Sequence, residues 1–405
     1  MLLARNEVNV EEAAALDELL ARFHLGAAVS PWTGAAEKTS ATCDSVFGNL
    51  TQLLARAGPL LPRAETDRLI SWTRDSARTL KQRLLAREQA GFIRECHGDL
   101  HAANVVRWRD RLRPFDCIEF DPQLRSIDVI NDISFLVMDL MSRQRADLAC
   151  ALLSRYLEVT GDYDGACVLP FYAAYRALVR AKVDVIGAEQ VASRADEFHN
   201  RMQQRIRAAL AWMTPSQPFL ILMHGVSGSG KTWLSERLLP ELSAVRVRSD
   251  VERKRLAHMA GQRARARGHP PRHLLAQFSR RTYERLAECA ENCLRAGLNS
   301  IVDAAFLDPA ERALFHALAR RLDARFAIVA CRADAATLAA RVTNRALTRR
   351  MPPMRLGRSS MPNCASCSRS GLPNCHGSFR SCRMTRMRFS VSPLRSAAAP
   401  GRWVA

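Results

Sequence analysis

The sequence predicts an α/β fold: a parallel sheet with helical crossovers, preceded by a mostly helical first half and followed by a tail without periodicity. Three observations carry this. From residue 219 onward, short apolar runs alternate with helical patterns, the arrangement that builds a parallel sheet. Between the first run and the first helix lies Gly225-Val226-Ser227-Gly228-Ser229-Gly230-Lys231-Thr232. It matches the phosphate-cradling P-loop pattern G-x-x-x-x-G-K-[ST] in its required strand–loop–helix setting. Before residue 213, apolar residues recur at helical spacing instead.

The chain opens on a helix. Asn9 and Glu12 form a capping box, and Leu16, Leu19, Leu20 and Phe23 make an apolar stripe ending near His24. Residues 27–62, punctuated by Pro31, Gly34, Gly48, Gly58, Pro59 and Pro62, read as irregular. Helical patterns follow at 65–87, 126–142, 145–159, 168–187 and 196–213, with strand candidates at 105–108 and 117–120. Thr214-Pro215-Ser216-Gln217-Pro218 reads as a linker, dividing a first domain, 1–212, from a second, 213–347. In the second, strands are predicted at 219–224, 244–248, 299–303 and 325–331. Its helices fall near 231–240, 250–259, 274–296, 308–321 and 334–345.

Residues 348–405 lose this periodicity. Rich in Arg, Ser, Pro, Met and Cys, they are expected to be disordered. No Asp or Glu follows Asp334, and residues 335–405 supply thirteen of the net twenty positive charges. The body is therefore only mildly basic, so a nucleic-acid partner is disfavoured and would rest on the tail. Cys364, Cys367, Cys375, His376 and Cys382 are too closely spaced for a zinc frame, with no second C-x2-C or H-x3-H. Abrupt loss of acids and periodicity is what out-of-frame translation of a GC-rich gene yields. Such a frame change would cut the second domain before its lid and final strand.

No apolar run approaches the ~20 residues that span a bilayer. Arg5, Asn6 and Glu7 interrupt the N-terminus before a signal peptide could form. No membrane contact, a cytoplasmic location and twelve reduced cysteines are the expectations.

The P-loop aims backbone N–H groups and a positive helix end at a phosphate. Lys231 reaches for β- and γ-phosphates, and the Thr232 hydroxyl for Mg²⁺. No Asn-Lys-x-Asp follows, so nothing favours guanine, and ATP is the expected nucleotide. After the second strand, Asp250 and Arg253 face the crevice where α/β sheets bind ligands. This pair resembles that of small-molecule and polynucleotide P-loop kinases, which implies that Asp250 orients or deprotonates an acceptor hydroxyl and Arg253 meets an anionic group. An N-cap Asp with an i,i+3 partner is the simpler alternative. Asp303, ending the third strand, suits the Walker-B place in the Mg²⁺ shell. Arg341 and Arg345 lie where such kinases carry lid arginines, and equally where surface arginines sit.

A second constellation lies in the first half, at His97-Gly98-Asp99-Leu100-His101-Ala102-Ala103-Asn104. In protein-kinase-like folds an Asp followed five residues later by Asn pairs a base with a metal ligand. Glu119 is the best candidate for the second metal carboxylate, with Asp116 and Asp121 as neighbours. Asp128 and Asp132 follow four apart on one helix.

From His97 to Leu140 the chain resembles the catalytic lobe of aminoglycoside phosphotransferase-like kinases. The order of its halves resembles bacterial fusions of such a domain with a P-loop kinase. The resemblance implies Asp99 as catalytic base, with Asn104 and Glu119 as magnesium ligands. Glu at 119 departs from the family's Asp. The 96 residues before His97 show no glycine-rich cover and no strand lysine, Lys38 and Lys81 lying in no strand context. The first domain therefore reads as a C-lobe lacking its N-lobe, with weak or no ATP binding of its own.

The expected activity is ATP-dependent phosphoryl transfer to a small-molecule hydroxyl, with Mg²⁺. The alternatives are a catalytically impaired nucleotide-binding regulator, and a polynucleotide kinase or nucleic-acid-associated protein.

Overall fold

The N-terminal helix starts where the sequence places it. In the computed structural model, which describes residues 3, 5–31, 37–261, 272–338, 340, 341, 343 and 389–392, α1 spans Val10–Gly26. The Asn9 side chain accepts from Glu12 N at 2.8 Å, and Glu12 accepts from Asn9 N at 3.1 Å. The next segment corrects the expectation of irregular chain over 27–62. It contains α2, Glu37–Ala57, whose Val46, Leu50 and Leu53 are buried one and two turns apart. Gly48 had read as punctuation, yet a buried stripe outweighs the roughly 1 kcal/mol that a helical glycine costs.

α3, Arg63–Gln89, leads to β1, Ile93–Glu95, and then to the hairpin of β2, Val105–Trp108, and β3, Arg111–Pro114. The return strand thus precedes the predicted 117–120. Arg109 and Asp110 form a two-residue turn with φ of 48° and 58°. A primed hairpin turn needs positive φ at both places and is usually signalled by Gly or Asn, which is why it went unread. A single turn α4, Pro122–Arg125, precedes β4, Ser126–Asp128, which pairs antiparallel with β1. The helix predicted from 126 therefore begins three residues later, as α5, Val129–Ser142, with Asp128 as its N-cap. Then come α6, Ala146–Thr160, α7, Leu169–Gln190, and α8, Ala195–Trp212.

Behind these helices lies a buried ion triad. Arg87 is 1% exposed and grips Asp128 at 2.7 and 2.9 Å and Asp162 at 2.8 and 2.8 Å. Burial works against its charge, but the two carboxylates outweigh it and hold the guanidinium protonated.

The second half alternates as predicted. It runs β5, Phe219–His224; α9, Lys231–Glu241; β6, Ala244–Arg248; α10, Ser249–Gly261. It continues with α11, Arg272–Arg295; β7, Asn299–Asp303; α12, Pro309–Arg321; β8, Arg325–Cys331. These four strands coincide with the four predicted runs and form a parallel sheet in the order β6-β7-β5-β8. β9, Phe389–Ser392, adds antiparallel to β8, so those four tail residues are strand rather than disordered. The rest of 348–405, with its Cys and His residues, lies outside the described residues.

Alternation sorts the sheet's side chains onto two faces. Leu220, Leu222, Val245, Val247 and Val302 join the core that includes α11 and α12, whereas Ile221, Met223, Ala244 and Ile301 pack with Leu234 and Leu239 of α9.

β6 is an edge strand, and the helical half covers it. α6 is buried on nearly every face and lies against α1, α5, β6 and α9. Arg246 N on that outer edge donates to Ser154 Oγ at 3.0 Å, and Tyr163 donates its hydroxyl to Arg246 O at 3.4 Å. No helix among the described residues is long and apolar enough to cross a membrane.

Candidate functional site

Strand register gathers the predicted residues of the second half at one sheet edge. Met223 of β5, Asp303 of β7 and Arg248 of β6 are paired in line. The glycine loop begins two residues beyond Met223 and Asp250 two beyond Arg248, so both leave the sheet at its carboxyl edge.

The loop depends on its glycines. Gly225, Gly228 and Gly230 have φ of 145°, 84° and 98°, a region that side chains disfavour. A Cβ on Gly225 would also lie 2.5 Å from Cys331 O and 2.8 Å from Ser229 Oγ. Ser229 Oγ is buried without a hydrogen-bond partner. Val226 and Ser227 are exposed at the rim. Lys231 opens α9 and donates through Nζ to Gly225 O at 2.8 Å and Val226 O at 2.9 Å. Its ammonium thus spans the loop's mouth.

Two further residues meet this loop. Arg341 Nη1 donates to Gly228 O at 3.0 Å, so this predicted lid arginine reaches the cradle; Arg345 lies outside the described residues. Asp303 is buried, with Oδ2 3.4 Å from Ser235 Oγ, and Ser235 donates to Thr232 O at 3.0 Å. Ser235 thus links Asp303 to Thr232, in the first turn of α9. A glycine-shaped loop at a helix start, an ammonium, a hydroxyl and a carboxylate form a set that fits magnesium nucleotide.

Asp250 is half-exposed in the first turn of α10. It pairs with Arg248, not with the Arg253 that its i,i+3 spacing suggested: Arg248 donates to its two oxygens at 3.2 and 3.0 Å. Arg253 is exposed on the same helix. Sequence reasoning missed Arg246, Arg248 and Ser235. Two arginines alternating with valines in Ala244-Val245-Arg246-Val247-Arg248 were the available signal, since a buried parallel strand has little use for charge.

In the first half, α5 anchors the His97–Asn104 loop. Asp132 accepts from His97 N at 3.2 Å and Gly98 N at 2.8 Å, and lies 3.0 Å from His24 Nε2. Asn104 Nδ2 donates to Asp99 O and Oδ2, each at 3.0 Å, and His101 Nε2 lies 3.3 Å from Asp99 Oδ2. Burial works to raise the Asp99 pKa, but the His101 hydrogen bond and the charges of His101, Arg180 and Arg176 bring it below the ordinary value. The structure thus joins Asp99 to Asn104. Glu119 is exposed, and among the described residues no hydrogen bond or ion pair links its carboxylate to either. Asp128, paired with Arg87, and Asp132, anchoring the loop, both face inward.

Asp132 gives this loop an acid sensitivity. Burial works to raise its pKa, but His24, Arg176 and the Gly98 amide hold it below the usual 3.8. A depressed carboxylate contributes stability that is complete above the unfolded pKa and is lost as pH falls through the folded one. Asp132→Asn is expected to cost about 1–3 kcal/mol at pH 7, because an amide would turn a donor toward backbone donors. It should also flatten the loss of stability below about pH 4. Urea midpoints from pH 7 to pH 2 check both effects.

Residues 220–357 match a family model described as an AAA domain. Uncharacterized proteins of Mycobacterium tuberculosis and Mycobacterium bovis are each 28% identical over 337 residues, covering 82% of this chain and 66% of the relative. A match of that length cannot fit within either half alone. The chain spans a little under two thirds of these relatives. No solved structure matches. The second half thus has a P-loop-type α/β fold and is similar, over residues 220–357, to an AAA domain.

Proposed function

We propose that the second half binds magnesium ATP and transfers its γ-phosphoryl group to a hydroxyl of a small molecule. One observation carries this reading: Lys231 bridges two carbonyls of a glycine cradle that shares its sheet edge with Asp303 and Asp250. Amides of Gly228, Ser229 and Gly230 would grip the phosphates, with Lys231 on the β- and γ-oxygens. Thr232 and Asp303 would hold Mg²⁺, which neutralises phosphate charge when bound. Arg341, already at Gly228 O, would meet charge on the transferring group. Asp250 would accept the hydroxyl proton of the acceptor, and Arg253 an anionic group on it.

For the first half the proposal is an aminoglycoside phosphotransferase-like C-lobe that supports the second. The anchoring of its catalytic-type loop by Asp132 and the Asp99–Asn104 pair support that reading. Asp99 would be its base, with Asn104 and Glu119 toward metal.

Binding of magnesium ATP and its turnover, with sugars, aminoglycosides and 5′-hydroxyl oligonucleotides as acceptors, test the assignment. Small-molecule stimulation is the expected result. Stimulation by oligonucleotides alone would change the acceptor class. Binding without turnover would leave a nucleotide-binding regulator, and absence of binding would remove the proposal.

A further inference from the structure

Glu158, near the end of α6 in the helical half, is 6% exposed and faces the arginines of β6. Its Oε1 accepts from Arg248 Nη1 at 3.1 Å and from Arg155 Nη1 at 2.8 Å. Its Oε2 lies 3.7 Å from Arg246 Nη2. Arg248 turns its remaining donors on Asp250, closing a bidentate pair. Arg246 donates to Ser235 Oγ at 3.2 Å, the hydroxyl that sits beside Asp303. Residues 246 and 248 share a strand face because they are two apart. One carboxylate from the helical half therefore lies against Arg248, which holds Asp250, and against Arg246, which reaches Ser235 beside Asp303.

The end of α6 also seats α10. A helix leaves its last carbonyls without intrahelical donors and partly negative. Here Glu158 O accepts from Arg255 Nη2 at 2.7 Å, and Gly161 O accepts from Arg285 Nη2 at 3.2 Å. Glu252, fully buried on α10, pairs with both Arg255 and Arg285. Gly161 ends α6 with φ of 76°, and a Cβ there would lie 2.6 Å from Arg255 Nε, so this approach needs glycine.

We propose that Glu158 is a positioning residue for the P-loop site: the helical half fixes Arg248 and α10, and through them the orientation of the Asp250 carboxylate. The inference rests on the phosphotransfer reading above. A bidentate arginine–carboxylate pair sets direction as well as distance. Arg248 has a charged partner at each end, so its rotamer is held from the helical half. Without Glu158 the arginine is free to swing, and the half-exposed Asp250 moves with it.

The test uses the full chain with magnesium ATP and its intrinsic hydrolysis. Glu158→Gln keeps the shape and removes the charge. The expected result is a KM for magnesium ATP within about twofold of the unsubstituted chain and a kcat lower by about tenfold, since small displacements at a reacting group are costly. Glu158→Asp should recover part of that rate. Glu158→Gln combined with Asp250→Asn should be no slower than Asp250→Asn alone, because both act through one carboxylate. Amides of residues 248–252, around the Arg248–Asp250 pair, should exchange faster in Glu158→Gln, with residues 220–223 unchanged. Additive losses, or an unchanged kcat in Glu158→Gln where Asp250→Asn is slow, would overturn the proposal. If the unsubstituted chain neither binds nor hydrolyses ATP, the phosphotransfer reading is what fails. Exchange then decides alone, and unchanged exchange over 248–252 overturns the role of Glu158.

Discussion

Lys231→Ala is expected to weaken magnesium ATP binding by about 10–100-fold while leaving the fold intact. The ammonium lies across the glycine cradle, donating to Gly225 O and Val226 O. A charge-assisted hydrogen bond contributes about 1.5–3 kcal/mol, and each ~1.4 kcal/mol is a tenfold change in affinity. The fold should persist, since Gly225 O and Val226 O both belong to the loop rather than to a helix or strand. Trp233, partly exposed two residues on, offers an intrinsic fluorescence signal for the titration. Lys231→Arg, with the charge kept on a bulkier fork, should fall between the two. Equal affinity in Lys231→Ala and the unsubstituted chain would mean that the cradle does not hold nucleotide.

Arg87→Met should be the most destabilising single change in the first half, at about 3–5 kcal/mol. The substitution keeps much of the volume and the contact with the Phe92 ring, over which the guanidinium carbon lies at 4.2 Å. What it removes is the shared partner of Asp128 and Asp162, both nearly inaccessible to water. Breaking a buried pair costs far more than the pair is worth, because charge is left without solvent or counter-charge. Both carboxylates also cap turns, Asp128 through Ile130 N at 2.8 Å and Asp162 through Gly165 N at 3.0 Å. Adding Asp128→Asn and Asp162→Asn to Arg87→Met keeps acceptors for those amides, removes the stranded charges and should restore part of the loss. Urea denaturation of the single and triple variants measures the difference. A single variant within about 1 kcal/mol of the unsubstituted chain would show that water or protonation relieves both aspartates.

Legibility differed between the halves for physical reasons. Three of the four parallel strands were readable as short apolar runs and β6 as valines alternating with arginines, and all four boundaries coincide. Their order came only from the structure, since alternation says parallel but not which strand is central. The glycine loop was readable because its backbone can be built by few other sequences. In the first half, α2 was hidden by one glycine, and β3 by a turn made from Arg109 and Asp110 without Gly or Asn. The roles of Asp128 and Asp132 were hidden more deeply. Spacing placed them on one helix, but their partners Arg87 and His97 lie 41 and 35 residues away. Arg248 escaped notice for the same reason, as its partner Glu158 is 90 residues earlier.

Ser154 and Tyr163 satisfy the outward-facing backbone of Arg246, at the rim where the sheet would otherwise end. A fragment starting at the linker would bare those groups beside Val245 and Val247, a template on which another copy could lay its own chain. Subdividing this molecule at residue 213, however natural that break looks in one dimension, would therefore invite self-association into ribbons, and the helices serve as a built-in guard against it.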